Sequence, residues 1–344
     1  MTAMSQSTHP RPPASWLKIA AEGLCCAPGG FHIDPVRPVE RAVITHGHGD
    51  HARAGHGAVL ATPETVAIMQ ARHGAEFPTR YQPLPCGEPV RLGEVTVTFA
   101  PAGHVLGSAQ AVLEHAGTRI VVSGDDKRRP DPTCPPFQPV PCDVFVTEAT
   151  FALPVFRHPS DAHEIQRLLH SLEIFPERAH LVGTYALGKC QRVISLLRQT
   201  GYDRPIYMHG ALLGLCALYE RHSIPLGPLI HVTNQNKAEL KGQIVLAPPS
   251  AHADRWSRAL PDPVVAMASG WMRIKQRAKA AGIELPLVIS DHADWDELDR
   301  TVDEVGAPEV WITHGREEAL VHHLSNKGYR ARALALVGFE EEGS

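Results

Sequence analysis

Six consecutive residues, His46-Gly47-His48-Gly49-Asp50-His51, put three imidazoles and a carboxylate into one short stretch. These are the donors that zinc- and manganese-type cations take. The glycines let the backbone turn tightly between them. Four ligands so close in sequence cannot comfortably all serve one tetrahedral ion, so the spacing predicts a division between two metals. A polar, His-rich surface loop is the alternative reading. Further groups of the same kind stand at the ends of β-type runs: His104 in Gly103-His104-Val105-Leu106-Gly107, Asp125 closing Val121-Val122-Ser123-Gly124-Asp125, and His314 closing Val310-Trp311-Ile312-Thr313-His314. A His or Asp after a strand is by itself more often a turn residue. Four such positions in order predict a metal centre assembled from strand ends.

The elements that must position these residues fall into three stretches. From about 29 to 145 the chain reads as short strands: Ala42–Thr45, Val95–Phe99, a hairpin of Ala109–Glu114 and Arg119–Ser123 around Gly117, and Asp143–Thr147. A helix is expected over 63–73, with Thr62 as N-cap and Pro63 in its first turn. From about 156, strands alternate with helices. A helix runs to Leu172 from Ser160 or Asp161, with Glu164 as capping partner of Asp161. Strand 181–185 leads to a helix from Gly188 to about Thr200, stopped by Gly201. Strand 205–208, helix 211–221 and strands 244–247 and 263–268 follow, a pattern of parallel α/β units. The final stretch has two strands, Leu287–Ser290 and Val310–Thr313, leading to His292 and His314. Residues 1–15 are polar and Pro-rich and read as a loose tail.

Composition narrows the setting. The 344 residues are 43% hydrophobic and 20% charged, enough for one large domain or two ordinary ones. The net charge of −4 excludes nucleic-acid binding through bulk positive charge, so any such contact needs a local basic patch. Seven cysteines, an odd number with no C-x-x-C, point to neither a disulfide framework nor a cysteine zinc site. No apolar run reaches membrane-spanning length, and the first 18 residues lack the apolar core of a secretory signal. A reducing, cytoplasmic setting without a membrane partner is expected.

The ordered pattern H-x-H-x-D-H, then His, Asp and His, resembles the metallo-β-lactamase superfamily over essentially the whole chain. The resemblance implies an α/β fold, the αββα sandwich of that superfamily. It implies two divalent cations, zinc and/or manganese: His46, His48 and His104 would hold the first, Asp50, His51 and His314 the second, and Asp125 would bridge them. A narrower resemblance is to the β-CASP nuclease branch. It rests on Val146-Thr147-Glu148-Ala149-Thr150, Ile289-Ser290-Asp291-His292-Ala293-Asp294, Ile312-Thr313-His314-Gly315, Tyr185–Gln191 and Ala268–Met272. It implies an inserted α/β β-CASP domain at 158–285, between lactamase-like parts at 1–157 and 286–344. A histidine at the last position is nearer to RNase J and the mRNA 3′-end nucleases than to Artemis-type members. The compact form, with 30 residues after His314, resembles the bacterial ligase-associated DNA exonuclease family. Asp126 departs from the aromatic residue more often expected there.

What the resemblance implies is a DNA exonuclease, acting on single-stranded or end-bearing DNA and linked in repair with an ATP-dependent DNA ligase and a helicase. Two cations about 3.5–4 Å apart would share and activate a bridging hydroxide. Asp50 counts among the catalytic groups as well as the ligands. His292 is the candidate general acid, oriented and kept cationic by Glu148. Asp34 is either a support for a ligand histidine or a turn residue before Pro35. Phosphate would meet Thr184, Tyr185, Gly188 and Lys189 at a helix N-terminus, and Ser269 with Gly270. Trp271 or Tyr185 could stack a base, and Arg273, Lys275, Arg277 and Lys279 could track a backbone. The alternatives are an RNA nuclease of the RNase J or mRNA 3′-end type, and a small-molecule ester or thioester hydrolase.

Overall fold

The computed structural model describes residues 15–74, 80–233 and 237–334, so most of the expected N-terminal tail lies outside the described residues. A first sheet takes the opening strands in chain order: β1 (Leu17–Ala20), β2 (Gly23–Cys26), β3 (Phe31–Ile33), β4 (Arg41–Val43), β5 (Ala58–Ala61) and β6 (Arg80–Pro83). A second sheet begins with β7 (Pro89–Leu92), β8 (Val95–Pro101), β9 (Ala109–His115), β10 (Thr118–Val122) and β11 (Val144–Ala149). The chain then leaves to build a third sheet from β12 (His180–Gly183), β13 (Ile206–Met208), β14 (Leu229–His231), β15 (Ile244–Ala247), β16 (Val264–Ala268) and β17 (Leu285–Leu287). It returns to the second sheet with β18 (Glu309–Gly315), which pairs parallel with β11, and with β19 (Arg330–Ala333).

Alternation along the strands decides the layering. On β8, Val95, Val97 and Phe99 enter one buried cluster, together with Val43 and Leu60 of the first sheet and Ile120, Val122, Val144 and Val146 of the second. The intervening Val121, Phe145, Val310 and Ile312 face the other way, onto Trp295, Leu298 and Val302 of α6 (Trp295–Val305) and Leu320 and Leu324 of α7 (Glu317–Asn326). The outer face of the first sheet is covered by Val66 and Met69 of α1 (Pro63–His73). Two sheets therefore pack face to face with helices outside each. Helix α1 starts as the sequence reads, with the Thr62 hydroxyl accepting from Thr65 N and Pro63 in the first turn.

All pairings in the third sheet are parallel. Its central strands β12 and β15 are buried along their length, as a sheet covered on both faces requires. Ile165 and Leu168 of α2 (Asp161–Ile174), Val193 and Ile194 of α3 (Lys189–Gln199) and Leu212 of α4 (Gly210–Arg221) share one cluster with Ile68 of α1 and Leu106, which seats this layer against the sandwich. The carboxyl ends of β12, β16 and β17 deliver segments 184–188, 269–271 and 288–292 to one place, the usual position for ligands in a parallel sheet.

Some local expectations need correction. Of the two cap candidates for α2, Ser160 is the one used, as the sequence allows. Glu164 makes no capping box: its carboxylate accepts from Val288 N and Arg167, while Asp161 pairs with Arg192. The strand expected over 287–290 ends at Leu287, and that expected over 181–185 ends at Gly183, because both chains turn there toward the site.

Candidate metal centre

His46 follows β4, His104 follows β8, Asp125 follows β10 and His314 lies near the end of β18. The four side chains meet with His48 and His51 in a buried cluster. One group of ligand atoms comprises His46, His48, His104 and Asp125, and a second comprises His51, Asp125 and His314; within each, the atoms lie within 4.8 Å of one another. Asp125 belongs to both. Its Oδ2 is 3.3 Å from His46 Nε2, 3.5 Å from His51 Nε2 and 3.7 Å from His104 Nε2, and its Oδ1 is 3.9 Å from His314 Nδ1. Asp50 joins the second group through Oδ2, 3.6 Å from His51 Nε2. Asp34 and His314 are two of the few non-glycine residues at positive φ, +42° and +57°. Such strain, on the order of 1 kcal/mol each, is tolerated where a side chain must be aimed.

The charge states suit cation binding. Burial, reinforced by neighbouring imidazoles, holds His46, His104 and His314 well below the usual histidine range, which leaves the neutral, ligating form. His51 goes the other way. Burial would depress it, but Asp125, Asp34 and Asp50 outweigh that and lift it to about 10. Burial, opposed by His51 and aided by Glu148, raises Asp125. A cation entering at neutral pH therefore displaces a proton. His46 Nε2 is buried and has no hydrogen-bond partner, a costly state for a polar atom unless something else completes it. With Asp125 at the junction, this donor set fits two divalent cations.

Asp34 uses both oxygens on the site. Its Oδ2 accepts from His51 Nδ1 at 2.8 Å and from Thr45 Oγ1 at 2.6 Å, and its Oδ1 accepts from Thr45 N at 2.8 Å. It fixes the His51 tautomer and presents Nε2 inward. Asp34→Ala is expected to weaken divalent-metal affinity about 10- to 100-fold, read by competition with a chromogenic chelator.

Beside the cluster, His292 Nδ1 lies 3.0 and 2.9 Å from the two oxygens of Glu148, both residues buried. Glu148 also accepts from Asp126 N at 2.8 Å. The carboxyl of Asp126 is fully buried with neither oxygen partnered, and burial followed by Glu148 pushes it well above the usual carboxyl range.

The expected phosphate contacts are placed differently. Lys189 is buried and ion-paired with Asp291, so its ammonium is not presented to a ligand. Gly188 N donates to Gln191 Oε1 at 2.8 Å, and Lys189 N and Cys190 N donate to Leu187 O and Tyr185 O, so the start of α3 is capped from within. Ser269 Oγ accepts from Trp271 N, and Gly270 packs so close to Phe151 that a Cβ would lie 2.4 Å from its ring. Thr184 is buried, and Tyr185 packs on a cluster holding Phe151 and Trp271. Several groups that sequence reading missed hold the ligands. His48 Nε2 donates to Leu187 O at 3.3 Å, His104 Nδ1 donates to Asp291 O at 2.8 Å, and Arg72 donates to Gly47 O at 2.7 Å. Two of the acceptors, Leu187 and Asp291, come from segments leaving the third sheet. Backbone carbonyls carry no side-chain signature, so only Asp291, next to His292, could have been suspected.

The buried His/Asp cluster is compatible with a divalent-metal centre. Residues 32–169 match the family model described as the metallo-β-lactamase superfamily, and the chain carries a domain of that kind. Relatives include a protein named "Probable DNA ligase" from Opitutus terrae, 28% identical over 91% of this chain and 30% of that one. A ribonuclease of Thermus thermophilus is 30% identical over 57% of this chain and 51% of its own length. An RNase J-like protein of Methanocaldococcus jannaschii is 27% identical over 42% of this chain and 37% of that protein. These relatives are consistent with the β-CASP branch, and the matches span about half or less of each relative's length. A crystal structure of a protein of unknown function from Enterococcus faecalis V583 shares the fold, with a TM-score of 0.55 at 13% identity, covering 79% of this chain and 74% of that one. Among the described residues, no helix is long and apolar enough to cross a membrane.

Proposed function

We propose that this chain is a metal-dependent nuclease that hydrolyses phosphodiester bonds in DNA from an end. The observation that carries the reading is the buried Glu148–His292 pair beside the ligand cluster. Ester or lactam hydrolysis at such a cluster needs no buried imidazole paired with a carboxylate. Departure of a nucleoside oxygen needs a positioned proton donor.

His46, His48 and His104 would hold one cation, His51, Asp50 and His314 the other, and Asp125 both. When bound, the cations supply charge to neutralise the phosphate and lower the pKa of water. The chain's own residues do the rest. Asp34 and the carbonyls of Leu187 and Asp291 fix the imidazole orientations. Glu148 takes the Nδ1 proton of His292 in a hydrogen bond, which leaves Nε2 as the atom that can hand a proton to the leaving oxygen.

DNA is favoured because the relative matched over 91% of this chain is named a DNA ligase, which also motivates a working link with ligation in repair. RNA is the second reading, favoured by the names of the Thermus and Methanocaldococcus relatives. The test is incubation of protein reconstituted with zinc or manganese with end-labelled single- and double-stranded DNA and matched RNA. The expected result is progressive shortening of DNA from one end. Preference for RNA would overturn the DNA assignment. Turnover of a small thioester without cleavage of either polymer would overturn the nuclease reading.

A further inference from the structure

The candidate ligands differ in how much solvent they meet. The side chains of His46, His51 and His104 are 0 to 2% exposed, Asp125 is 8% and His314 13% exposed, and Asp50 is 29% exposed. Beside Asp50, Gly49 is exposed and His48 is half-buried. The mouth of the centre therefore lies at 48–50, and a substrate reaches the cluster past this edge.

One charged side chain outside the ligand set is fixed at that mouth. Arg72 stands in the last turn of α1, is exposed, and donates from Nη1 to Gly47 O at 2.7 Å. A Cβ placed on Gly49 would lie 2.7 Å from Arg72 Nη2, so the glycine leaves the room that the guanidinium occupies. The guanidinium thus lies along the turn from Gly47 to Gly49, with its direction set by a backbone carbonyl. Among the described residues no carboxylate closes an ion pair with it. Asp50 is the carboxylate whose charge reaches it, and Asp50 is itself a candidate ligand, so a cation bound there takes up that negative charge. Holding the Gly47 carbonyl needs one donor and no charge. A neutral side chain would do this without adding a positive charge to a cationic mouth. An anion at the mouth offsets that repulsion, and the guanidinium fork matches the oxygens of a phosphate.

We propose that Arg72 binds the phosphate next to the scissile one on the substrate strand. It is exposed and touches the backbone of the ligand loop rather than a ligand, which sets it outside the position where the cations would hold the scissile phosphate. The proposal rests on the nuclease reading for its substrate class, but the contact can be tested without catalysis. Metal-free full-length protein is titrated with fluorescein-labelled oligothymidylate at several salt concentrations, read by fluorescence anisotropy. In Arg72→Gln the slope of log affinity against log salt should fall by about 0.7, the loss of one phosphate contact on a single strand. In the metal-loaded protein the same variant should raise KM for a single-stranded oligonucleotide about tenfold, with kcat changed far less and metal content unaltered. KM for bis(p-nitrophenyl) phosphate, which carries one phosphate, should not move. A rise in KM for that diester as large as for the oligonucleotide, or a loss of metal, overturns the proposal, since Arg72 would then act through the ligand loop. If polymers are cleaved and neither the salt slope nor KM responds to the variant, the contact fails while the nuclease reading stands. If the salt slope follows Arg72 and the wild type cleaves no polymer, the nuclease reading fails and the phosphate contact stands.

Discussion

Alanine at Asp125 is expected to release both cations together and to abolish cleavage. The carboxylate lies 3.3 to 3.9 Å from imidazole nitrogens of both ligand groups and is the one residue common to them. Removing it takes an anionic donor from each position at once. It also leaves His46, His51, His104 and His314 facing one another without the negative charge that makes a dicationic occupant tolerable. Metal content, read by elemental analysis after gel filtration, should fall from about two ions per chain to well below one. His314→Ala gives the contrast. Its imidazole serves only the second group, so that variant should retain a substantial part of the first cation. Retention of both cations by Asp125→Ala would show that the carboxylate is not shared.

The legible parts of this site were those that side chains advertise. The six-residue segment at 46–51 and the strand-end positions 104, 125 and 314 stand out because imidazole and carboxylate groups rarely recur at strand ends without a use. The structure brings His46, His48, His51, His104, Asp125 and His314 to one cluster and sets Asp50 Oδ2 3.6 Å from His51 Nε2. Helix α1 was legible to the residue because Thr62 and Pro63 determine its start locally. The start of α3 misled for a physical reason. Gly188 before Lys189 has the look of an anion-binding turn, yet Gln191 reaches back to the Gly188 N–H and Asp291 neutralises Lys189. Both partners are tertiary or side-chain choices that a strand–turn–helix pattern does not specify. Glu164 misled in the same way, since Val288 N from a distant strand end draws its carboxylate from the helix cap. The third sheet's part in orienting His48 and His104 runs through carbonyl oxygens of Leu187 and Asp291 and leaves no trace in residue type.

Those carbonyls bear on the second large effect, because the segment that orients His104 also carries His292. His292→Ala is expected to lower turnover by about 10²- to 10⁴-fold while both cations stay bound, the range for losing a positioned proton donor. The imidazole is within bonding distance of Glu148 through Nδ1, and its ring centroid is 4.6 Å from that of His104, so it stands at the cluster's edge without being needed to hold it. Glu148→Gln separates position from charge. Glutamine keeps the length and one acceptor oxygen, so the ring can stay in place, but the anion that favours a protonated imidazole is gone. Turnover should therefore fall by less than in His292→Ala. A substrate with a p-nitrophenolate leaving group, which departs without a proton, should restore most of the loss in both variants. If that substrate is slowed as much as the nucleic acid, His292 acts through the metals or the fold and not as the acid.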